Sequence, residues 1–124
     1  MNQIVAIAAG GALGAVFRFL LSGAVYQWLG RGFPFGTLVV NIIGSFIMGL
    51  LFETLAERLA LSPEYRAALI VGLLGAFTTF STFSIETVYL IEEGELIKAG
   101  GNILASVILC LVAVWIGLIA GRQL

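Results

Sequence analysis

The chain has 124 residues, of which 60% are hydrophobic and 10% charged, with a formal net charge of −1 and no histidine. A soluble domain carries about 25% charged residues, so there are too few charges here to coat a water-facing surface. Nucleic acid is not an expected partner of so sparsely charged a chain. Cys110 is the one cysteine, which excludes a disulfide framework, and with no histidine beside it no side-chain metal cluster is expected.

Uncharged runs cover residues 1–17, 32–52, 67–85 and 99–121. A membrane helix needs roughly 20 mostly apolar residues, so four such helices nearly use up the chain and no room remains for a further domain. The first predicted helix covers residues 4–28, with Arg18 inside it. Its first ten residues hold no lysine or arginine, so a membrane helix fits them better than a cleaved signal. Gly30, Gly32 and Pro34 mark a short turn. The second helix is predicted over residues 35–56. Ser62, Pro63 and Glu64 read as a helix start, with serine as cap and proline at the first helical position. The third helix is predicted over 66–91 and ends at the acidic stretch 92–95, and the fourth covers 96–121.

With four spans, one side of the membrane receives Arg58, Arg66 and Arg122 and the other receives Arg31 and Lys98. Three against two gives the positive-inside rule almost nothing to act on. The balance is compatible with insertion both ways and pairing with an inverted copy. Small residues recur four apart at Gly10/Gly14, Gly11/Ala15, Ser45/Gly49 and Gly117/Gly121. Such faces let membrane helices approach closely, and they favour assembly over a lone subunit.

Two polar stripes follow helical spacing. Thr37, Asn41 and Ser45 share one face of the second helix, and Asn102, Ser106 and Cys110 share one face of the fourth. A buried amide needs a partner or water. The stripes therefore serve helix-to-helix hydrogen bonding or line a polar file. Arg18 and Glu86 are the charges deepest in the spans, where ionisable residues are functional candidates.

Residues 75–86 read GAFTTFSTFSIE. Phe77, Phe80 and Phe83 recur every three positions, and Thr78, Thr79, Ser81, Thr82 and Ser84 fill the places between. A lipid-facing helix has no use for such hydroxyls. Serine and threonine compete for backbone groups and support a bend or a break. A break frees carbonyls for a cation or amides for an anion. Ring edges suit an anion and ring faces a cation. Residue types alone leave the sign of the ion open, and leave a packed aromatic core as the other reading.

Three stretches carry a closer likeness: GGALGAVFR at residues 10–18, GTLVVNIIGSF at 36–46, and GAFTTFSTFSIE at 75–86. In these motifs, their order and its length the chain resembles the CrcB or Fluc family of small bacterial fluoride channels. The resemblance implies an all-α integral membrane fold with four helices per subunit, the third broken, assembled as an antiparallel dual-topology homodimer in the bacterial inner membrane. It implies two pores at the subunit interface, passive fluoride export that relieves fluoride toxicity, and no enzymatic activity. By match of position, Phe80 and Phe83 present ring edges to the ion and Asn41 is the pore-lining amide. Thr37, Ser81, Thr82 and Ser106 fall on or near the polar track. Cys110 replaces a hydroxyl with a thiol, a weaker donor. Arg18 matches an arginine near the aqueous vestibule, Glu86 a family glutamate of open role, and Asn102 a place where some relatives have tyrosine. Backbone carbonyls of Gly75 and Thr78 match the ligands of a structural sodium ion on the dimer axis.

Two other classes share the gross features. A small dual-topology multidrug exporter also has four short helices, but it relies on a glutamate in the first span, and residues 4–28 contain no acid. A non-transporting assembly subunit explains the small-residue faces but not a hydroxyl–aromatic band at mid-membrane.

Overall fold

The computed structural model describes residues 2–57 and 61–124. Arg58, counted above in the charge balance, lies outside the described residues. The described chain is helical throughout, with four helical spans long and apolar enough to cross a membrane.

The first span is α1 (Asn2–Leu29) and the second is α2 (Phe35–Glu57). Gly30 joins them in the left-handed conformation (φ 79°), its amide donating to the Tyr26 carbonyl at 2.8 Å. A residue with a Cβ disfavours that conformation, which is why glycine stands there. The third span, Pro63–Glu92, is not one helix. It opens with α3 (Pro63–Arg66), capped by Ser62, whose Oγ accepts from the Tyr65 amide at 3.4 Å. The helix widens into a π-helical stretch, Ala67–Leu74, and narrows again in α4 (Gly75–Phe77). Thr78 and Thr79 are extended, and α5 (Phe80–Glu92) completes the crossing. The break inferred from the hydroxyl-rich stretch is thus present. Past α5, Glu95 N donates to Leu90 O and Gly94 N donates to Ile91 O around left-handed Gly94. That is the Schellman pattern of helix termination. The fourth span, α6, is Leu96–Gln123.

The described helices extend the sequence-based spans by a few residues, which reflects polar ends that a hydropathy reading excludes. The π-helical stretch has no signal in the residue pattern and went unread.

Glycines set the packing. A Cβ on Gly10 would meet the Ala68 carbonyl, one on Gly14 the Leu73 carbonyl, and one on Gly72 the Ile7 carbonyl at 2.6 Å. These contacts bring α1 backbone-to-backbone against the π-helical stretch. On the other side, a Cβ on Gly49 would meet the Val114 carbonyl and one on Gly117 the Phe46 carbonyl. The small-residue faces are therefore used within the subunit, joining α1 to the third span and α2 to α6. Gly10, Gly14, Gly49 and Gly117 do not by themselves argue for assembly, because they already meet backbone of the same chain. Large apolar side chains face outward along the spans, among them Phe19, Trp28, Ile97 and Trp115, as suits a surface in lipid.

Gly117→Val is expected to destabilise the subunit by roughly 1–3 kcal/mol or more, because two backbones must separate. Gly23→Ala, with nothing near its Cβ position, is expected to leave the melting temperature in detergent unchanged. Equal melting of both variants and the parent would contradict this packing.

Candidate functional site

The extended pair Thr78–Thr79 places unpaired backbone inside the membrane, where each such group costs several kcal/mol. Asn41 resolves it. The Thr79 amide donates to Asn41 Oδ1 at 2.8 Å, and Asn41 Nδ2 donates to the Thr79 carbonyl at 3.0 Å. One side-chain amide thus pairs with both polar groups of one residue, much as a strand neighbour would. Thr79 Oγ1 then caps α5 by accepting from the Thr82 amide at 3.2 Å. Thr78 Oγ1 donates back to the Leu74 carbonyl at 3.0 Å and closes the end of α4. Gly44 makes the break fit: a Cβ there would meet Thr78 Cγ2, and the ring of Phe77 lies beside it. Phe77 is buried, so the ring whose role the sequence left open serves packing.

Beside the break, α2, α5 and α6 form an open groove of about 390 Å³. Asn41, Phe80, Phe83, Ser106 and Cys110 all line it. The Phe80 and Phe83 rings are 5.2 Å apart, tilted by 48°, and Phe80 is 77% exposed. The extended residues Thr78 and Thr79 also line it, and Ser45 and Met48 continue the α2 side. The N-terminal end of α5 opens here at mid-span, with first-turn amides that have no intrahelical acceptor. A helix N-terminus favours negative charge. Amide donors, hydroxyls and aromatic rings thus converge on one concavity with no carboxylate in its lining.

The remaining expected residues fall elsewhere. Thr37 is buried and is not part of the groove lining. Ser81 is exposed, with Oγ 3.3 Å from Thr79 Oγ1, and Thr82 Oγ1 accepts from Thr79 Oγ1 at 3.1 Å. Both flank the groove rather than line it. Gly75 is exposed at the start of α4. Asn102 is buried behind the groove and donates to Thr87 Oγ1 at 2.9 Å. Arg18 is half-buried, and its Nε has no hydrogen-bond partner among the described residues. Glu86 Oε2 accepts from Tyr26 Oη at 2.9 Å, at one wall of a second cavity of about 300 Å³ that Arg31 and Lys98 also line.

Three contributors were not singled out by sequence reasoning. Thr87 carries Asn102 and has one signal in the sequence, its place four residues after Phe83. Tyr26, the partner of Glu86, and Gly44, which seats the break, have none, since each matters only through a distant helix.

Residues 5–118 match the family described as CrcB-like protein, camphor resistance (CrcB). The chain is 54% identical over 124 residues, the whole of both chains, to the fluoride-specific ion channel FluC of Geobacter sulfurreducens. It is 55% identical over 120 residues to the protein of the same name in Magnetococcus marinus, covering 97% of this chain and 98% of that one. A third, from Methylococcus capsulatus, is 58% identical over 122 residues, 98% of this chain. The chain spans about half the length of that relative, 54%.

Asn41→Leu removes both bonds to Thr79 and leaves a part-buried donor and acceptor without partners. Each such loss costs about 1–3 kcal/mol. The variant is expected to melt well below the parent in detergent, and below Ser45→Ala. Equal melting of the two variants would show that Asn41 does not hold the break.

Proposed function

The chain belongs to the CrcB-like family, and on that premise we propose that it is a fluoride-specific ion channel in the bacterial inner membrane, lined by this groove and completed by a second, antiparallel copy. Fluoride leaves the cytoplasm passively, down its gradient, and the cell is spared its toxicity. The observation that carries the reading is the convergence of Asn41, Phe80, Phe83 and Ser106 on one groove at mid-span.

Fluoride is small and holds water tightly, so a narrow path must replace its hydration shell. Asn41 commits Oδ1 and one N–H to Thr79 and keeps a second N–H, because an amide carries two donors. Ser106 adds a hydroxyl, Cys110 a weaker thiol donor, and the ring edges of Phe80 and Phe83 a diffuse positive potential. Several weak stations in series let an ion leave as readily as it enters. Positive charge at Arg18 draws anions toward the path. Glu86, held by Tyr26, serves the shape of the second cavity.

The inverted partner is supported by the groove itself. Its open side brings extended backbone and a 77% exposed aromatic ring to the flank of the subunit. Lipid offers no hydrogen-bond partner to the polar side chains of Asn41, Ser45 and Ser106 that line the same open groove, whereas a second copy covers them and completes a pore for each subunit. The balanced cations at the two ends suit insertion in either direction.

A structural sodium ion on the dimer axis is part of the proposal, and the residues present fit it. In a continuous helix the Gly75 carbonyl would accept from the Thr79 amide and the Thr78 carbonyl from the Thr82 amide. Those amides go instead to Asn41 Oδ1 and Thr79 Oγ1. Two carbonyls are thereby released beside the break, and oxygen donors of this kind suit a hard cation. Bound there, the ion would join the two subunits and would not travel with fluoride.

Purified protein in liposomes is expected to release fluoride, read with a fluoride electrode, without an imposed proton gradient and with little release of chloride. Phe80→Ile keeps volume and removes ring edges, and is expected to slow efflux about tenfold or more, equivalent to about 1.4 kcal/mol in the barrier. Asn41→Asp replaces a donor with an acceptor and is expected to abolish efflux nearly completely. Parent-rate efflux from either variant, or chloride released as fast as fluoride, contradicts the reading.

A further inference from the structure

Behind the groove runs a buried chain of hydrogen bonds. Ser106 Oγ donates to Asn102 Oδ1 at 3.4 Å, Asn102 Nδ2 donates to Thr87 Oγ1 at 2.9 Å, and Thr87 Oγ1 donates to the Phe83 carbonyl at 2.7 Å. Asn102 is 2% exposed and Thr87 6%. Neither lines the groove, while both ends of the chain, Ser106 and Phe83, do.

The direction of this chain is set from its far end. A backbone carbonyl only accepts, so the single Thr87 proton is committed to Phe83. Thr87 then offers only lone pairs to Asn102. The amide must turn its NH₂ toward Thr87 and its carbonyl toward Ser106. Ser106 faces an acceptor and must point its own proton inward. At rest, the hydroxyl that reaches the groove therefore presents lone pairs to it, and lone pairs repel an anion. The links behind Ser106 are 2.9 and 2.7 Å, whereas the last link is 3.4 Å, beyond the usual 2.5–3.0 Å for O–H···O. The Ser106 proton is the one held most weakly.

We propose that Thr87 and Asn102 are positioning residues for ion passage, which park the Ser106 proton on Asn102 while the groove is empty and release it to an anion that arrives. The inference rests on the reading of the groove as a fluoride path. The Ser106 station stays weak because binding there breaks the bond to Asn102, and departure of the ion restores it. Weak stations favour rapid passage. The same chain ties the Phe83 turn of α5 to α6, so the aromatic and hydroxyl sides of the groove are set by one network.

Thr87→Val keeps the side-chain shape and removes the hydroxyl. The Asn102 amide loses its anchor and can turn its NH₂ toward Ser106, which drives the Ser106 proton into the groove. The half-saturating fluoride concentration for efflux is expected to fall about threefold, with maximal efflux falling as release slows. Thr87→Ser retains the hydroxyl and is expected to restore parent values. In a Ser106→Ala background, Thr87→Val is expected to leave the half-saturating concentration where Ser106→Ala puts it, since no proton remains to be placed. Asn102→Leu removes the parking acceptor outright and carries the same expectation should Thr87→Val fail to fold. A fall in maximal efflux with unchanged half-saturation, or an equal shift without Ser106, overturns the inference. No fluoride efflux from the parent overturns the fluoride-path reading together with this one, whereas a conducting parent with no shift in these variants overturns this one alone.

Discussion

The rest of the structure depends on one side chain, Asn41, pairing with one peptide unit, Thr79. A break in a membrane helix exposes polar backbone where no water is at hand, and the bilayer tolerates that only if protein supplies the missing partners. The Asn41 amide has one acceptor and two donors, enough to satisfy an amide and a carbonyl together and still keep an N–H. Without that pairing, a continuous third helix would be the cheaper arrangement. The groove would then lose the helix start at its centre and the carbonyls released beside it.

Close glycine contacts make the pairing reachable. Gly44 admits Thr78 and Phe77 against α2. Gly49 and Gly117 hold α2 to α6, while Gly10, Gly14 and Gly72 hold α1 to the first half of the third span. The subunit is thus two tightly packed helix pairs with the break lying between them. The second half of the third span, α5, is held more by polar bonds: the cap at Thr79, the bond from Asn102 to Thr87, and the bond from Tyr26 to Glu86. Rigid apolar packing positions the scaffold, and directional bonds position the rings that line the groove.

Much of this was legible in the sequence. Uncharged runs gave the spans, and Ser62 with Pro63 gave the third span's start. The crowd of hydroxyls in GAFTTFSTFSIE announced the break, because threonine and serine at mid-membrane need backbone partners. Likeness to a family named Asn41, Phe80, Phe83, Ser81, Thr82, Thr37, Ser106 and Cys110 for the pore. The groove lining holds Asn41, Phe80, Phe83, Ser106 and Cys110, and Thr37, Ser81 and Thr82 are not in it. Less was legible where two distant helices decide the outcome. Asn41 has the same spacing whether it donates into a groove or braces a break, and in fact it braces the break from the groove wall. Thr87 looks like one more threonine until Asn102 is seen against it. The small-residue faces look like assembly surfaces until Gly10 and Gly117 are found against carbonyls of the same chain. Spacing along a helix reports a face, and only the fold reports what that face meets.

The Asn41–Thr79 pairing is open to direct measurement in the membrane. Solid-state NMR of the protein in lipid, with ¹⁵N in the Asn41 side chain and ¹³C at the Thr79 carbonyl, reads the dipolar coupling between the two. An N···O distance of 3.0 Å and a C=O bond of about 1.23 Å place these nuclei within about 4 Å of each other. A coupling of that strength is expected in the parent protein. No measurable coupling in the parent would contradict the claim that Asn41 holds the break.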